Sequence, residues 1–188
     1  MAHLYLAIGA RSSGKTTCLS ELWRLMNKPG CNPCAIIEEN SRDALGFPVR
    51  IFFRDMESGR SVLLASRPSS SIPFSFDEGA FAWAGERLRE AHARQAKPII
   101  VDELGPLELE DSGGLRPYLD LLLKTHPGPL VFSLRPSLLP AIDELARNLG
   151  MGRWVLHTVQ VEAFGSHFCA ERLFRMLEAH CHRAEAKI

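Results

Sequence analysis

Apolar and polar positions along the chain alternate between two periods. Leu4 to Ile8 is a short, wholly apolar run, followed by Thr17 to Met26, whose composition favours a helix. Pro29-Gly30 stops that helix, and Cys34 to Ile37 reads as a second buried strand ending in Glu38 and Glu39. Val49 to Phe53 and Ser61 to Ala65 flank Asp55-Met56-Glu57-Ser58-Gly59, a hairpin signal. Ser66 to Asp77, rich in Ser and Pro with little periodicity, predicts an exposed connection, with a lid as the alternative.

Phe81, Ala84, Leu88 and Ala91 recur at helical spacing within Gly79 to Gln95, and Ser75 with Glu78 has the spacing of a capping box ahead of them. Ile99 to Val101 suits a strand covered on both faces. Helices at Leu115 to Lys124 and Leu138 to Leu149, strands at Leu130 to Leu134 and Trp154 to Val161, and a closing helix from Ser166 to His180 complete the pattern. The alternation predicts an α/β fold, a mostly parallel sheet flanked by helices through right-handed crossovers, with the hairpin as an antiparallel decoration. No internal repeat or second hydrophobic nucleus appears, so one domain over residues 1–188 is expected.

Composition narrows the partners. Lys plus Arg equals Asp plus Glu at 22 each, so no net field favours nucleic acid or an anionic membrane. No apolar run reaches the length of a membrane span and no leader pattern is present, which makes cytoplasmic residence the expectation. The five cysteines are too few and too odd a set for a disulfide framework. Cys31 and Cys34 have C-x-x-C spacing, with His167, Cys169, His180, Cys181 and His182 as distant partners for a metal. No second tight pair accompanies them, and incidental thiols are the plainer reading.

The chemistry concentrates in two places. Gly9-Ala10-Arg11-Ser12-Ser13-Gly14-Lys15-Thr16 fits G-x-x-x-x-G-K-[ST] and lies between a strand and a helix, the context that separates a phosphate-binding loop from a glycine-bordered turn that binds nothing. Such a loop turns successive N–H groups toward an anion and adds the positive end of the helix. Lys15 is expected at the β- and γ-phosphates, and the Thr16 hydroxyl on a magnesium ion. The second place is Asp102-Glu103, two carboxylates at the end of a buried strand, where charge is costly without a cation or donors. Asp102 fits the magnesium partner opposite Thr16, and Glu103, on the other side of the strand, a base for the attacking water. A solvated strand end capping the Gly105-Pro106 turn is the alternative. Among Arg11, Arg42, Arg67 and Arg135, the last is best placed to stabilise the γ-phosphate, at the end of Leu130 to Leu134; a surface ion pair is the plain alternative for each.

Gly9 to Thr17 together with Val101-Asp102-Glu103-Leu104-Gly105-Pro106-Leu107-Glu108-Leu109 resembles the THEP family of small P-loop nucleoside-triphosphatases, also known as the cancer-related nucleoside-triphosphatase family. Glu38-Glu39, Arg42 and Gly46-Phe47 before a hairpin are similar to that family's acidic and arginine-bearing segment. The resemblance implies an α/β P-loop fold of the additional-strand type and magnesium-dependent hydrolysis of ATP, GTP and other nucleoside triphosphates. It places Gly14, Lys15, Thr16 and Thr17 on the phosphate loop, Asp102 on the magnesium position and Glu103 on the water-activating position. The loop interior Ala10-Arg11-Ser12-Ser13, the short stretch between Arg42 and Gly46, and the segment Ser66 to Asp77 depart from the family pattern. A nucleoside or nucleotide kinase, and a nucleotide-dependent switch with slow hydrolysis, are the competing functions.

Overall fold

Residues 2–69, 71–149 and 154–185 are described by a computed structural model. Among them, eight strands form one sheet in the spatial order β5-β4-β3-β2-β6-β7-β1-β8. These are β1 (Ala2–Ile8), β2 (Cys34–Arg42), β3 (Pro48–Asp55), β4 (Ser61–Ser66), β5 (Ser75–Phe76), β6 (Ile99–Leu104), β7 (Leu130–Leu134) and β8 (Trp154–Gln160). β1 pairs in parallel with β7 and β8, and β6 in parallel with β2 and β7, which is the expected parallel core. The hairpin is more than a decoration. β2 pairs in parallel with β6 on one side and antiparallel with β3 on the other, so β3, β4 and β5 continue the same sheet.

The period of two along β1 shows why both faces are covered. Leu4, Leu6 and Ile8 join one buried cluster with Leu88 of α2 (Glu78–Ala93), Leu119 and Leu122 of α4 (Arg116–Thr125), and Ile142 of α5 (Leu139–Asn148). Tyr5 and Ala7 join the opposite cluster with Leu19 and Leu22 of α1 (Lys15–Met26) and Leu173 and Leu177 of α7 (Ser166–Glu185). The apolar run Leu4 to Ile8 within β1 is therefore the signature of a strand buried on both sides. No helix among the described residues is long and apolar enough to cross a membrane.

Two local expectations need correction. The α2 cap is Asp77, whose carboxylate accepts from the Gly79 N–H at 2.7 Å, while Ser75 lies in β5. Aspartate is as good an N-cap as serine, and it lies directly at the helix entry. The stretch from Ser66 to Asp77 is not simply a solvated connection, because β5 pairs with β4 and Arg67, Phe74 and Phe76 line a cavity. Two one-turn helices, α3 (Pro106–Leu109) and α6 (Val161–Phe164), carried no periodic signal.

Candidate active site

β1 ends at Ile8, and the chain curls through residues 9–14 before α1 begins at Lys15. Two glycines permit the curl. A Cβ on Gly9 would fall 2.2 Å from Ser13 Oγ, and Gly14 holds φ at +96° at the helix entry, a region that side chains disfavour. Lys15 folds back over this loop and is only 4% exposed. Its ammonium donates to the carbonyls of Gly9 at 3.1 Å and Ala10 at 2.9 Å, and lies 3.3 Å from Glu103 Oε2. The cation is thus already fixed at the mouth of the loop.

Asp102 and Glu103 reach the loop because β6 bulges. Val101 pairs with Phe132 and Leu104 with Leu134, so both acidic residues stand opposite the single residue Ser133. Glu103 takes φ +54°, a strained value outside glycine, and its N–H donates to Ser133 Oγ at 2.8 Å. In a regular strand the two side chains would point to opposite faces. The bulge instead aims the Glu103 carboxylate at Lys15 and at Arg135, whose Nε lies 3.5 Å from Oε1. Asp102, 2% exposed, accepts hydrogen bonds from the Ser133 hydroxyl, from the Thr16 side chain and, at 3.4 Å, from the Glu38 N–H.

Burial pushes the Asp102 carboxyl upward, and the bonds from Ser133 and Thr16 pull it back. Glu38 is pushed up to about 8, first by desolvation and then by the charges of Asp102 and Glu103. The carboxylates of Glu38, Asp102 and Glu103 thus crowd one another at the end of β6, an arrangement suited to a bound cation. Burial likewise raises Glu108, yet its role is local: its carboxylate accepts from the Gly105 N–H at 3.1 Å and the Leu115 N–H at 3.4 Å, tying the turn after β6 to the start of α4.

The loop, Asp102 and Glu103 form one end of a cavity of about 890 Å³, with Arg11, Ser12, Gly14, Thr16 and Thr17 in its wall. Gly9, Ala10 and Ser13 do not line it. The Ala10 N–H is taken by the carboxylate of Glu162, in α6, and Ser13 Oγ is buried with no hydrogen-bond partner. Of the other arginines, Arg42 donates to the Gly46 carbonyl at 2.7 Å, Arg67 lies over the Phe74 ring at 4.4 Å, and Arg11 is exposed. Arg135 alone of these four forms an ion pair with Glu103 among the described contacts.

Ser133 and Glu162 were not singled out by the sequence. Ser133 had a signal, a lone hydroxyl inside the apolar run Leu130 to Leu134. Glu162 had none, since its contact spans 152 positions. Away from the site, Cys34 is buried at the start of β2 and Cys31 is exposed, and no group of three metal-ligating side chains occurs among the described residues. The side chains of His180, Cys181 and His182 lie outside the described part of the chain.

No family sequence profile matches the chain, and no curated protein sequence does. Among solved structures, its fold matches THEP1 from the hyperthermophile Aquifex aeolicus with a TM-score of 0.63 at 21% identity, covering 95% of this chain and 99% of that one. It also matches a human cancer-related nucleoside triphosphatase, solved in solution, with a TM-score of 0.61 at 19% identity, covering 94% and 97% respectively. The chain thus has the α/β fold of these proteins over nearly its whole length, and they are the group that the run Val101 to Leu109 resembles.

Proposed function

We propose that the chain is a magnesium-dependent nucleoside-triphosphate phosphohydrolase, converting ATP, GTP and related triphosphates to diphosphate and phosphate. One observation carries the reading: the loop and the β6 bulge converge, with Lys15 3.3 Å from Glu103 and the Thr16 side chain hydrogen-bonded to Asp102. The names of the two structural neighbours, one of them a nucleoside triphosphatase, agree with it.

The amides of Arg11, Ser12 and Gly14, which border the cavity, and the N-terminus of α1 would receive the phosphates, and Lys15 would move its charge from Glu103 to the β- and γ-oxygens. Thr16 and Asp102 offer hard oxygen donors at one point, the donor set that suits magnesium, and both would hold it there. Bound in that place, the ion would supply charge neutralisation on the β- and γ-oxygens. Glu103, relieved of Lys15, would accept a proton from water as the water oxygen bonds to the γ-phosphorus. The bond from that phosphorus to the β–γ bridging oxygen breaks, and the electron pair leaves on the diphosphate. Arg135, already beside Glu103, would place a second positive charge near the transferred group.

The test is phosphate release from a panel of nucleoside triphosphates with and without magnesium, beside Lys15→Ala. Release that needs the metal and falls with Lys15→Ala is expected. Release that is indifferent to both would end the reading.

A further inference from the structure

The cavity is larger than a triphosphate head requires. At about 890 Å³ it lies near the top of the ordinary range for ligand pockets, roughly 300–1,000 Å³. Only one end is the phosphate loop. The other end is walled by Ile51 and Phe53 of β3, Leu64 of β4, Phe74, Phe76 of β5 and Phe81 of α2. Its rings are arranged around one another: Phe53 meets Phe81 edge-on at 5.7 Å, and Phe76 stacks on Phe81 at 6.1 Å. Phe76 remains 53% exposed on a two-residue strand, so packing of the core does not account for it.

Sheet order places this apolar lobe. Moving from the loop strand β1 across β7 to β6, the first groups met are Asp102 and Glu103; β2 follows with Glu38, and then β3, β4 and β5 with the aromatic wall. The lobe therefore lies beyond Glu103 as seen from Lys15. That is the side from which a nucleophile approaches a γ-phosphate whose leaving group is held by the loop, because displacement is in line. The other side of the loop is closed by Glu162 on the Ala10 N–H and by Ser166, 3.3 Å from where a Gly14 Cβ would stand.

We propose that this lobe binds a second substrate, an uncharged nucleoside, and presents its hydroxyl to the γ-phosphate in place of water. The inference rests on the nucleotide-binding reading of the loop given above. The aromatic wall suits a planar ring. Asn40 and Glu38 give hydrogen-bonding groups along the cavity edge. Arg42 and Arg67, which also border the cavity, each direct one donor to a carbonyl, of Gly46 and of Pro48, and the acidic side chains of Glu38 and Glu39 on the same lining disfavour a second phosphate, so the lobe favours a ring with hydroxyls. In the transfer, the nucleoside hydroxyl oxygen bonds to the γ-phosphorus and its proton passes to the Glu103 carboxylate. The bond between that phosphorus and the β–γ bridging oxygen breaks, with the electron pair leaving on the nucleoside diphosphate.

The experiment titrates adenosine, guanosine, cytidine and uridine into the full chain loaded with magnesium and a non-hydrolysable triphosphate analogue. It then analyses the products of each nucleoside with ATP. Binding of at least one nucleoside to the analogue-loaded protein is expected, with nucleoside monophosphate appearing as free phosphate declines. Phe76→Ala should weaken the nucleoside at least fivefold relative to the analogue, and Phe74→Ala should act in the same direction. Absence of nucleoside binding while the analogue binds and ATP is hydrolysed would overturn the lobe's role and leave the hydrolase reading intact. Displacement of the analogue by the nucleoside would overturn it too, by showing that the lobe holds the triphosphate's own base. Binding without monophosphate would overturn the transfer. Failure of the analogue itself to bind would remove both readings.

Discussion

Lys15 and Glu103 lie 3.3 Å apart, so the cation that would grip the phosphates and the carboxylate that would take a proton are each other's partner before any ligand arrives. On the proposed reading, a triphosphate would draw Lys15 away and in doing so free Glu103 to act as a base. Glu103→Gln is accordingly expected to keep affinity for a triphosphate analogue while lowering turnover by about 10²- to 10⁴-fold, the usual worth of a general base. Analogue titration and single-turnover phosphate release measure the two effects separately.

Arg135 is half-exposed and 3.5 Å from Glu103. An exposed pair of that kind adds little to stability. Arg135→Ala should therefore leave the unfolding midpoint close to that of the parent protein while slowing turnover at least tenfold, read by thermal melting beside steady-state hydrolysis. A change of less than threefold in turnover would take Arg135 out of the chemistry.

Ser133 serves two groups at once, donating to Asp102 and accepting from the Glu103 N–H. Ser133→Ala leaves a buried carboxylate and a buried amide each one partner short, a loss of about 1–3 kcal/mol. Chemical denaturation measures it. Turnover should fall as well, because the bulge that aims Glu103 loses its tie to β7.

Far from the site, His126 is buried, with Nε2 3.0 Å from the Ala96 carbonyl and Nδ1 3.2 Å from His92. Desolvation lowers it from 6.5 to about 4, against the pull of the Ala96 carbonyl. Between those values the unfolded chain binds a proton that the folded chain refuses. The contribution of His126 to stability is thus full above about pH 6.5 and is lost as pH falls toward 4, while Glu38, held up at about 8, works in the opposite sense over the same range. Denaturation midpoints of the parent and His126→Gln across that range check it, the difference between parent and variant shifting against the parent as pH falls from 6.5 toward 4.

What could be read from the sequence divides along physical lines. The phosphate loop is contiguous, so its glycines, Lys15 and Thr16 announced themselves together, and the mostly apolar β1 and β7 announced a sheet covered on both faces. Asp102 and Glu103 were legible as charges where charge is costly. Their aim was not, because the bulge depends on a register shift between β6 and β7 that strand periodicity cannot express. Glu162 and the wall formed by Phe53, Leu64, Phe76 and Phe81 come together only through tertiary folding, across β3, β4, β5 and α2. Asp77 won the cap over Ser75 because pairing of β5 with β4 drew Ser75 into the sheet.

The pairing of β1 bears on how the molecule comes into being. Leu4 aligns with Leu130 on one flank and Leu156 on the other, so the strand that launches the loop has no neighbour until the polypeptide has been made through β7, and its second flank waits for β8. Contacts so distant along the chain are slow to close. During translation, the β2 to β4 meander, joined by short turns, can zip up early as a local nucleus, while the N-terminal strand waits with both hydrogen-bonding rims bare. The loop at the end of β1 thus takes its place after that meander has formed.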